Sequence, residues 1–408
     1  MLFRRFFLHF LPLLAVLTAR AADPAPLPPT TPWDLRSLAR VPHPEWVDRT
    51  GHVRSLLYEG EPYKGHKTKV FAYYASPVTL GLEASDPKRK YPTVLLVHGG
   101  DGQAFSQWAQ IYARHGYAAL AMDLGGNWQR GPQTPAERLP DGGPPQDDPA
   151  KFPPSAAPDR DSWMYHAVAD VILARSLLHI VPEADETRVG VLGLGWGGSV
   201  ACIVAGLDPR FKAVVPVFGC GFLEANSAWR DRQFHDMTPE ARKKWTQLWD
   251  PANYVGAARM AMFFVTCEND PYYPLDSAMK TYALVQSPKN LSVQSKLKHG
   301  PLFDLREGLL FFDAQLKDGP PPPRVASVVF DEGKLIVEAE SKGALKSAEL
   351  HFTTGAERDF KTRTWSARPL TIDGMHIRGG GPPGDATAWF VLIEDENDVL
   401  ASSEVQFR

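Results

Sequence analysis

Three glycines at alternate positions form a pattern that is typical of a turn built to present a reactive side chain. Gly193, Gly195 and Gly197 follow an apolar run at residues 189–192 and precede an apolar helical stretch. Where a strand enters a helix through the pattern G-x-S-x-G, the middle residue is a nucleophilic serine. In this chain the middle residue is Gly195, which has no side chain. The sequence therefore predicts the turn without its nucleophile.

An acid and a base are expected after later strands of such a protein, in the chain order nucleophile, acid, base. Asp270 follows the apolar run 261–266, and His299 follows the run 291–297. An aspartate paired with an imidazole orients the ring and stabilises the imidazolium. We predict an Asp270–His299 dyad. Two alternatives remain: Asp270 could only cap a turn, and His299 could be an ordinary surface-loop residue.

An anion-binding cradle is predicted from two backbone N–H groups, one on the residue after the nucleophile and one on the loop after an early central strand. The first donor is Trp196. The second is Gly100, within the run HGGDG at residues 98–102. Glycine lets the backbone approach a ligand closely, so the cradle is expected to survive without the serine. The alternative is a plain strand–helix turn.

The absent hydroxyl has a large expected consequence. Removing the nucleophile of a serine protease costs on the order of a million-fold in turnover. Ser199 and Cys202 lie further along the helix, which rises about 1.5 Å per residue, so both are expected to be too distant to substitute. A water molecule activated by His299 is the remaining route to hydrolysis.

The order of predicted strands and helices along the chain predicts its fold class. Short apolar strands alternate with helices, which is typical of a doubly wound, mostly parallel α/β sheet. A stretch rich in Pro, Gly and Asp at residues 125–161 interrupts this pattern and predicts a long surface loop. After a Pro-rich linker, short alternating strands predict a small β-sandwich. The predicted divisions are 1–21 (signal peptide), 22–65 (lead-in), 66–317 (α/β-hydrolase domain), 318–323 (linker) and 324–408 (sandwich).

The first residues have the pattern of an export signal. Arg4 and Arg5 precede an apolar stretch at 6–17 and an A-x-A site at 19–21. The apolar stretch is too short to span a bilayer. We predict cleavage before Ala22, a secreted or periplasmic protein, and no membrane contact after cleavage. The alternatives are a membrane anchor or a misassigned start of the chain.

Composition and motifs exclude several function classes. The net charge is −3, so no basic excess indicates a nucleic acid partner. No zinc spacing, Walker loop or G-x-G-x-x-G run occurs, so we predict neither a metal nor a cofactor. Cys202, Cys220 and Cys267 are expected to be small buried hydrophobic residues, with a bridge between the first two left open.

From about residue 58 to about residue 317 the chain resembles exported bacterial hydrolases of the acetylxylan esterase and dienelactone hydrolase type. The segments that carry the resemblance are YEGEPYKGHKTKVFAYYASP, VLLVHGGDGQAF, YAALAMDLGG, WMYHAVADVILARSLLH, GLGWGGSVACIVAGLDPRFKAVVPVFGCGF and ENDPYYPLDS. The resemblance implies an α/β-hydrolase fold and ester hydrolysis, with deacetylation of polysaccharide as one expected reaction. It also implies that Asp270 is the acid, His299 the base, and Gly100 and Trp196 the oxyanion donors.

Two positions depart from that family pattern. Gly195 stands where the family has its serine, and Asp101 turns HGGGG into HGGDG. A carboxylate beside the cradle is expected to repel a developing oxyanion. The leading hypothesis is a catalytically degenerate hydrolase, a pseudoenzyme that binds a small-molecule or polysaccharide ester. The alternatives are a working hydrolase that uses water and the Asp270–His299 dyad, and a non-catalytic carbohydrate-binding or interaction protein.

Overall fold

The computed structural model describes residues 23–295, 297–357 and 359–408. The predicted signal peptide at residues 1–21 lies outside the described residues, as does the predicted start of the mature chain at Ala22. Within the described ranges, no helix combines the length and the apolar character needed to cross a membrane.

A large mixed sheet forms the centre of the molecule. Its order is β1-β2-β3-β5-β4-β8-β9-β10-β11, antiparallel from β1 to β5 and parallel from β5 to β11. The strands are β1 (Pro44–Asp48), β2 (Arg54–Glu59), β3 (Lys69–Ala75), β4 (Tyr91–Val97), β5 (Ala118–Met122), β8 (Ala184–Leu194), β9 (Ala213–Val217), β10 (Ala261–Cys267) and β11 (Lys289–Gln294); a separate short pair consists of β6 (Asn127–Trp128) and β7 (Glu137–Arg138).

Helices cover both faces of this sheet. Successive residues of a strand point to opposite faces of a sheet. In β8, Gly190 faces the helix that contains Phe312, and Gly193, three residues later, faces the helix on the other side that contains Gly197. The central strands β4, β5 and β9 are therefore buried throughout, as their apolar sequences require. The helices are α1 (Leu35–Leu38), α2 (Ser106–Arg114), α3 (Asp148–Lys151), α4 (Trp163–Leu177), α5 (Trp196–Leu207), α6 (Leu223–Asn226), α7 (Pro239–Leu248), α8 (Leu275–Leu284) and α9 (Arg306–Leu316).

Two small antiparallel sheets follow. One has the order β12-β13-β17-β16, and the other β15-β14-β18-β19 with β20 paired to β18. They enclose an apolar core that includes Leu335, Val337, Leu350 and Val391. The strands are β12 (Arg324–Asp331), β13 (Lys334–Glu340), β14 (Leu345–Thr353), β15 (Ser366–Pro369), β16 (Thr371–Asp373), β17 (His376–Gly380), β18 (Ala388–Asp395), β19 (Leu400–Ser402) and β20 (Gln406–Phe407).

The predicted fold class, a doubly wound α/β-hydrolase sheet followed by a small all-β unit, is confirmed. The domain limits stay predictions. Strands β1 and β2 lie before the predicted limit at residue 66 and yet extend the large sheet. They were not expected there because antiparallel edge strands with mixed sequences carry little periodic signal.

Candidate active site

The predicted turn lies between β8 and α5, at the carboxyl end of the central strand. Gly195 has φ 53° and ψ −114°, a conformation that costs a residue with a side chain about 1–3 kcal/mol. Its N–H donates to the carbonyl of Val217 at 2.9 Å, and its carbonyl accepts from the N–H of Ser199 at 3.0 Å. The turn is therefore fixed on both sides by backbone hydrogen bonds.

The flanking glycines are required by close packing. A Cβ atom on Gly193 would lie 2.0 Å from the carbonyl oxygen of Gly197, and a Cβ atom on Gly197 would lie 2.2 Å from that of Val97. No side chain fits at such distances without backbone movement. The three glycines of G-x-G-x-G are therefore needed for two reasons. The outer two leave room for the backbone that packs against them, and the middle one adopts a positive φ without strain.

The structure brings Asp270 and His299 together. His299 Nδ1 donates to Asp270 Oδ2 at 2.7 Å. The second carboxylate oxygen, Oδ1, accepts from the N–H groups of Tyr272 and Tyr273 at 2.8 and 2.7 Å. The imidazole stacks on Phe218 with a centroid separation of 4.4 Å. The acid is thereby held from one side while it orients the ring, and Nε2 keeps a free lone pair.

The imidazole is aimed at the turn. A Cβ atom at position 195 would lie 3.2 Å from His299 Nε2 and 3.5 Å from Cε1. A hydroxyl on that carbon would be within hydrogen-bond reach of Nε2. The Asp270–His299 pair and the turn at Gly195 therefore have the relative placement that a nucleophile, base and acid need, with the hydroxyl missing.

The loop after β4 lies against the same turn. The Cα atom of Gly99 would be 3.9 Å from a Cβ at position 195, and a Cβ on Gly100 would lie 3.0 Å from Trp196 Cδ1. No acceptor among the described residues takes the N–H of Gly100 or of Trp196. Both predicted donors thus stand at the turn with unpaired N–H groups.

His98 fixes the start of that loop. Its Nε2 accepts from the N–H of Leu124 at 2.9 Å, so its Nδ1 carries the proton and donates to the carbonyl of Gly99 at 2.8 Å. Burial lowers the pKa of His98 to about 4, so the ring is neutral near pH 7. A neutral ring is what both hydrogen bonds require.

A lysine that was not predicted lies beside the cradle. Lys151, at the end of α3 in the long loop, is 5% exposed, and its Nζ would be 3.9 Å from a Cβ on Gly100. The ammonium lies over the ring of Trp196, 5.4 Å from its centroid. Burial lowers the pKa of Lys151, and the charge of Asp101 acts in the opposite direction. The carboxylate of Asp101 is therefore accompanied by a cation, and no periodic pattern in the sequence around Lys151 indicates its position.

The site opens into a cleft of about 530 Å³. This volume is within the range of about 300–1,000 Å³ that is typical of small-molecule sites. The residues around it come from the turn, the glycine loop, the long loop and the segments after β9, β10 and β11. They are Gly100, Asp101, Gln146, Asp147, Asp148, Lys151, Trp196, Ala228, Trp229, Arg232, Gln233, Tyr272, Tyr273 and His299.

Neither alternative nucleophile is available. Ser199 is fully buried, and its hydroxyl donates to the carbonyl of Cys220 at 3.2 Å. Cys202 is buried and unbridged, and burial raises its pKa far above the physiological range. A thiol in such surroundings is unreactive. Within the described ranges, no group of His, Cys, Asp and Glu side chains has the arrangement of a metal site.

Comparison with known families finds similarity in the part of the chain that carries this site. Residues 57–227, which include the glycine loop and the turn at Gly195, match the family model described as acetyl xylan esterase. The matched segment is less than half of the chain, which has an α/β-hydrolase fold and is similar there to acetylxylan esterases. The predicted resemblance to acetylxylan esterases is thereby confirmed. A second family model, described as PhoPQ-activated pathogenicity-related protein, matches residues 200–361.

Individual proteins are similar to this chain in sequence or in fold. An acetyl esterase of Xylanibacter ruminicola is 25% identical over 232 residues, which are 54% of this chain and 50% of the relative. The chain thus spans about half the length of that relative. The solved acetyl xylan esterase from Paenibacillus sp. R4 has 21% identity, a TM-score of 0.54 and coverage of 69% of this chain and 92% of its own. That from Thermoanaerobacterium sp. JW/SL YS485 has 17% identity, a TM-score of 0.50 and coverage of 71% and 96%.

Proposed function

We propose that this acetylxylan-esterase-type protein binds acylated carbohydrate in the cleft and does not turn it over efficiently. The observation that carries the proposal is Gly195 itself. The residue occupies the nucleophile position in the conformation of a nucleophile turn, and the base is aimed at a side chain that is not there. A site that keeps its acid, base and amide donors retains the means to bind an ester carbonyl.

The electrostatics of the cleft support binding of a carbonyl oxygen. The unpaired N–H groups of Gly100 and Trp196 supply two donors, and the buried ammonium of Lys151 adds a positive charge next to them. This charge offsets the carboxylate of Asp101. Without a nucleophile these groups hold the carbonyl but form no covalent acyl intermediate, so the million-fold contribution of a serine is absent.

Hydrolysis by an activated water is the second candidate function. His299 Nε2 faces the space where a hydroxymethyl group would stand. One water molecule needs about 30 Å³, similar to the volume of that group. The imidazole would deprotonate a water there, and the water would attack the carbonyl held in the cradle. The rate would be low because a water molecule, unlike a serine hydroxyl, is not held in position by a covalent bond to the protein.

The ligand class and the location belong to this proposal. The matched relatives are named as esterases of acetyl groups and of acetyl xylan, which supports an acetylated plant-type polysaccharide as the ligand. The export pattern at residues 1–21 supports action outside the cytoplasm, where such polysaccharides occur.

A paired measurement of binding and turnover tests the proposal. Isothermal titration calorimetry with acetylated xylo-oligosaccharides is expected to give saturable binding, while p-nitrophenyl acetate and acetylated xylan give turnover no faster than the buffer with added imidazole. Saturable turnover that His299→Ala abolishes would favour the water mechanism. The matched control is His235→Ala, which removes an exposed histidine whose ring pairs with Asp236. Absence of both binding and turnover would contradict both functions.

A further inference from the structure

A second cleft, of about 440 Å³, adjoins the first. Both clefts are lined by Ala228, Arg232 and Tyr272, so they meet along one shared edge. The second cleft continues past Asp270 to Asp359 and Lys361, which belong to the C-terminal β unit. An open path therefore runs from the imidazole of His299, over Tyr272, to the C-terminal unit.

Tyr272 divides the two clefts and presents an exposed aromatic face. Its residue surface is 45% exposed. The ring stacks on Trp229 at a centroid distance of 6.0 Å and lies 4.9 Å from the imidazole of His299. The backbone N–H of Tyr272 donates to Asp270 Oδ1 at 2.8 Å. The ring is thus a rigid platform fixed to the same turn as the acid.

The far wall of the second cleft is also fixed to that turn. Asn269, the residue before the acid, donates from Nδ2 to the carbonyl oxygens of Phe360 at 2.7 Å and Arg363 at 2.9 Å. These carbonyls flank Lys361, whose ammonium pairs with Asp359 at 2.9 Å. These hydrogen bonds tie the charged wall contributed by the C-terminal unit to the residue before the acid.

Arg232 supplies the polar contact at the shared edge. It lines both clefts, and its guanidinium donates to no acceptor in the part of the chain that the structure describes. A guanidinium presents several N–H donors in one plane, which suits adjacent hydroxyl groups or a carboxylate. The edge thus combines an apolar ring face with unused planar donors.

We propose that the ligand is a glycan chain that lies across both clefts, with one sugar ring against Tyr272 and its hydroxyl or carboxylate groups on Arg232. Sugar rings pair an apolar C–H face with a rim of hydroxyl groups, which matches this surface. The charged wall at Asp359 and Lys361 then serves as a subsite supplied by the C-terminal unit. This inference rests on the proposed function and adds a second subsite to it, whereas a small ester would occupy the first cleft alone.

Calorimetry on the full chain tests the length of the ligand. Acetylated xylohexaose is expected to bind at least about tenfold more tightly than acetylated xylobiose, a difference of about 1.4 kcal/mol. Equal affinity for the two would overturn the inference and leave the proposed function standing. Failure of both to bind would overturn the proposed function as well, so the two failures are distinguishable.

Amino-acid substitutions test whether the ligand extends across both clefts. Tyr272→Ala and Lys361→Ser are each expected to reduce the ratio of hexaose to biose affinity, the first by about tenfold. The matched control is Phe330→Ala, which removes an aromatic residue that is 43% exposed and lines neither cleft. An unchanged ratio in the Lys361→Ser variant would overturn the role of the C-terminal unit. Comparison of neutral with glucuronate-bearing oligosaccharides in the Arg232→Ala variant identifies whether hydroxyl or carboxylate groups bind there.

Discussion

Restoring the missing hydroxyl by Gly195→Ser is expected to create an esterase. The new Cβ would lie 3.2 Å from His299 Nε2, so the imidazole must move by a few tenths of an ångström. The base, its acid and the two amide donors already surround this position. The substitution therefore adds the one group that the geometry lacks.

The magnitude follows from two opposing effects. A serine nucleophile contributes on the order of a million-fold in turnover, equivalent to about 8 kcal/mol of activation free energy. Misplacement of a reacting group by about 1 Å costs about a hundred-fold, and the crowding at the new Cβ makes a loss of that order the expected one. The net gain is then about 10⁴-fold over wild type. The positive φ at position 195 is expected to reduce the free energy of unfolding by about 1–3 kcal/mol.

Hydrolysis of p-nitrophenyl acetate, labelling by a fluorophosphonate and denaturant unfolding measure these effects. Gly195→Ala is the matched control, because it introduces the same Cβ and the same backbone strain without a hydroxyl. Adding His299→Ala to Gly195→Ser is expected to remove both activity and labelling. If the serine variant is folded, with a cooperative unfolding transition like that of the alanine variant, but remains as inert as the alanine variant, the assignment of the base, acid or cradle is wrong.

Three further outcomes are expected. Gly197→Ala is expected to lose about 1–3 kcal/mol or more in denaturant unfolding, because its Cβ would meet a strand carbonyl, whereas Gly384→Ala meets no atom within 4 Å and is expected to stay within about 0.5 kcal/mol. Burial lowers the pKa of His166 to about 4 in the folded protein, whereas its pKa in the unfolded chain is near 6.5. The neutral ring therefore contributes fully to the free energy of unfolding above pH 6.5, and this contribution is lost as the pH falls towards 4. Wild type should therefore lose on the order of 3 kcal/mol more than His166→Gln between pH 7 and pH 4, and equal pH profiles would contradict this assignment. His351→Ala is expected to cost about 3–5 kcal/mol, because the ring bonds the buried carboxylate of Glu268 at 2.6 Å; adding Glu268→Gln should recover part of the loss in calorimetric unfolding.

Much of the candidate site could be predicted because its residues stand at the ends of strands. Gly195, Asp270 and His299 each follow an apolar run, and parallel strands of one sheet direct their carboxyl ends to the same edge. Chain order and strand direction therefore bring the three positions together without knowledge of any loop. The same logic places Gly100 after β4, next to β8 in the sheet.

Residues carried by loops and by the C-terminal unit could not be predicted in this way. Lys151 reaches the cradle from a long segment without periodicity, and Lys361 reaches the cleft from beyond the Pro-rich linker. Strands β15 and β16 carry no sequence signal either, because short, exposed segments lack the alternation that indicates a strand.

The sequence by itself determined the turn at Gly195, the loss of its nucleophile, and the candidate acid and base, since these depend on residue type and on strand order. The tertiary structure alone decided that Nε2 of His299 faces that turn, that a buried ammonium lies beside Asp101, and that two clefts meet at Tyr272. These features depend on contacts between residues far apart in the chain. Their distances are set by how loops and side chains pack, which local pattern does not encode.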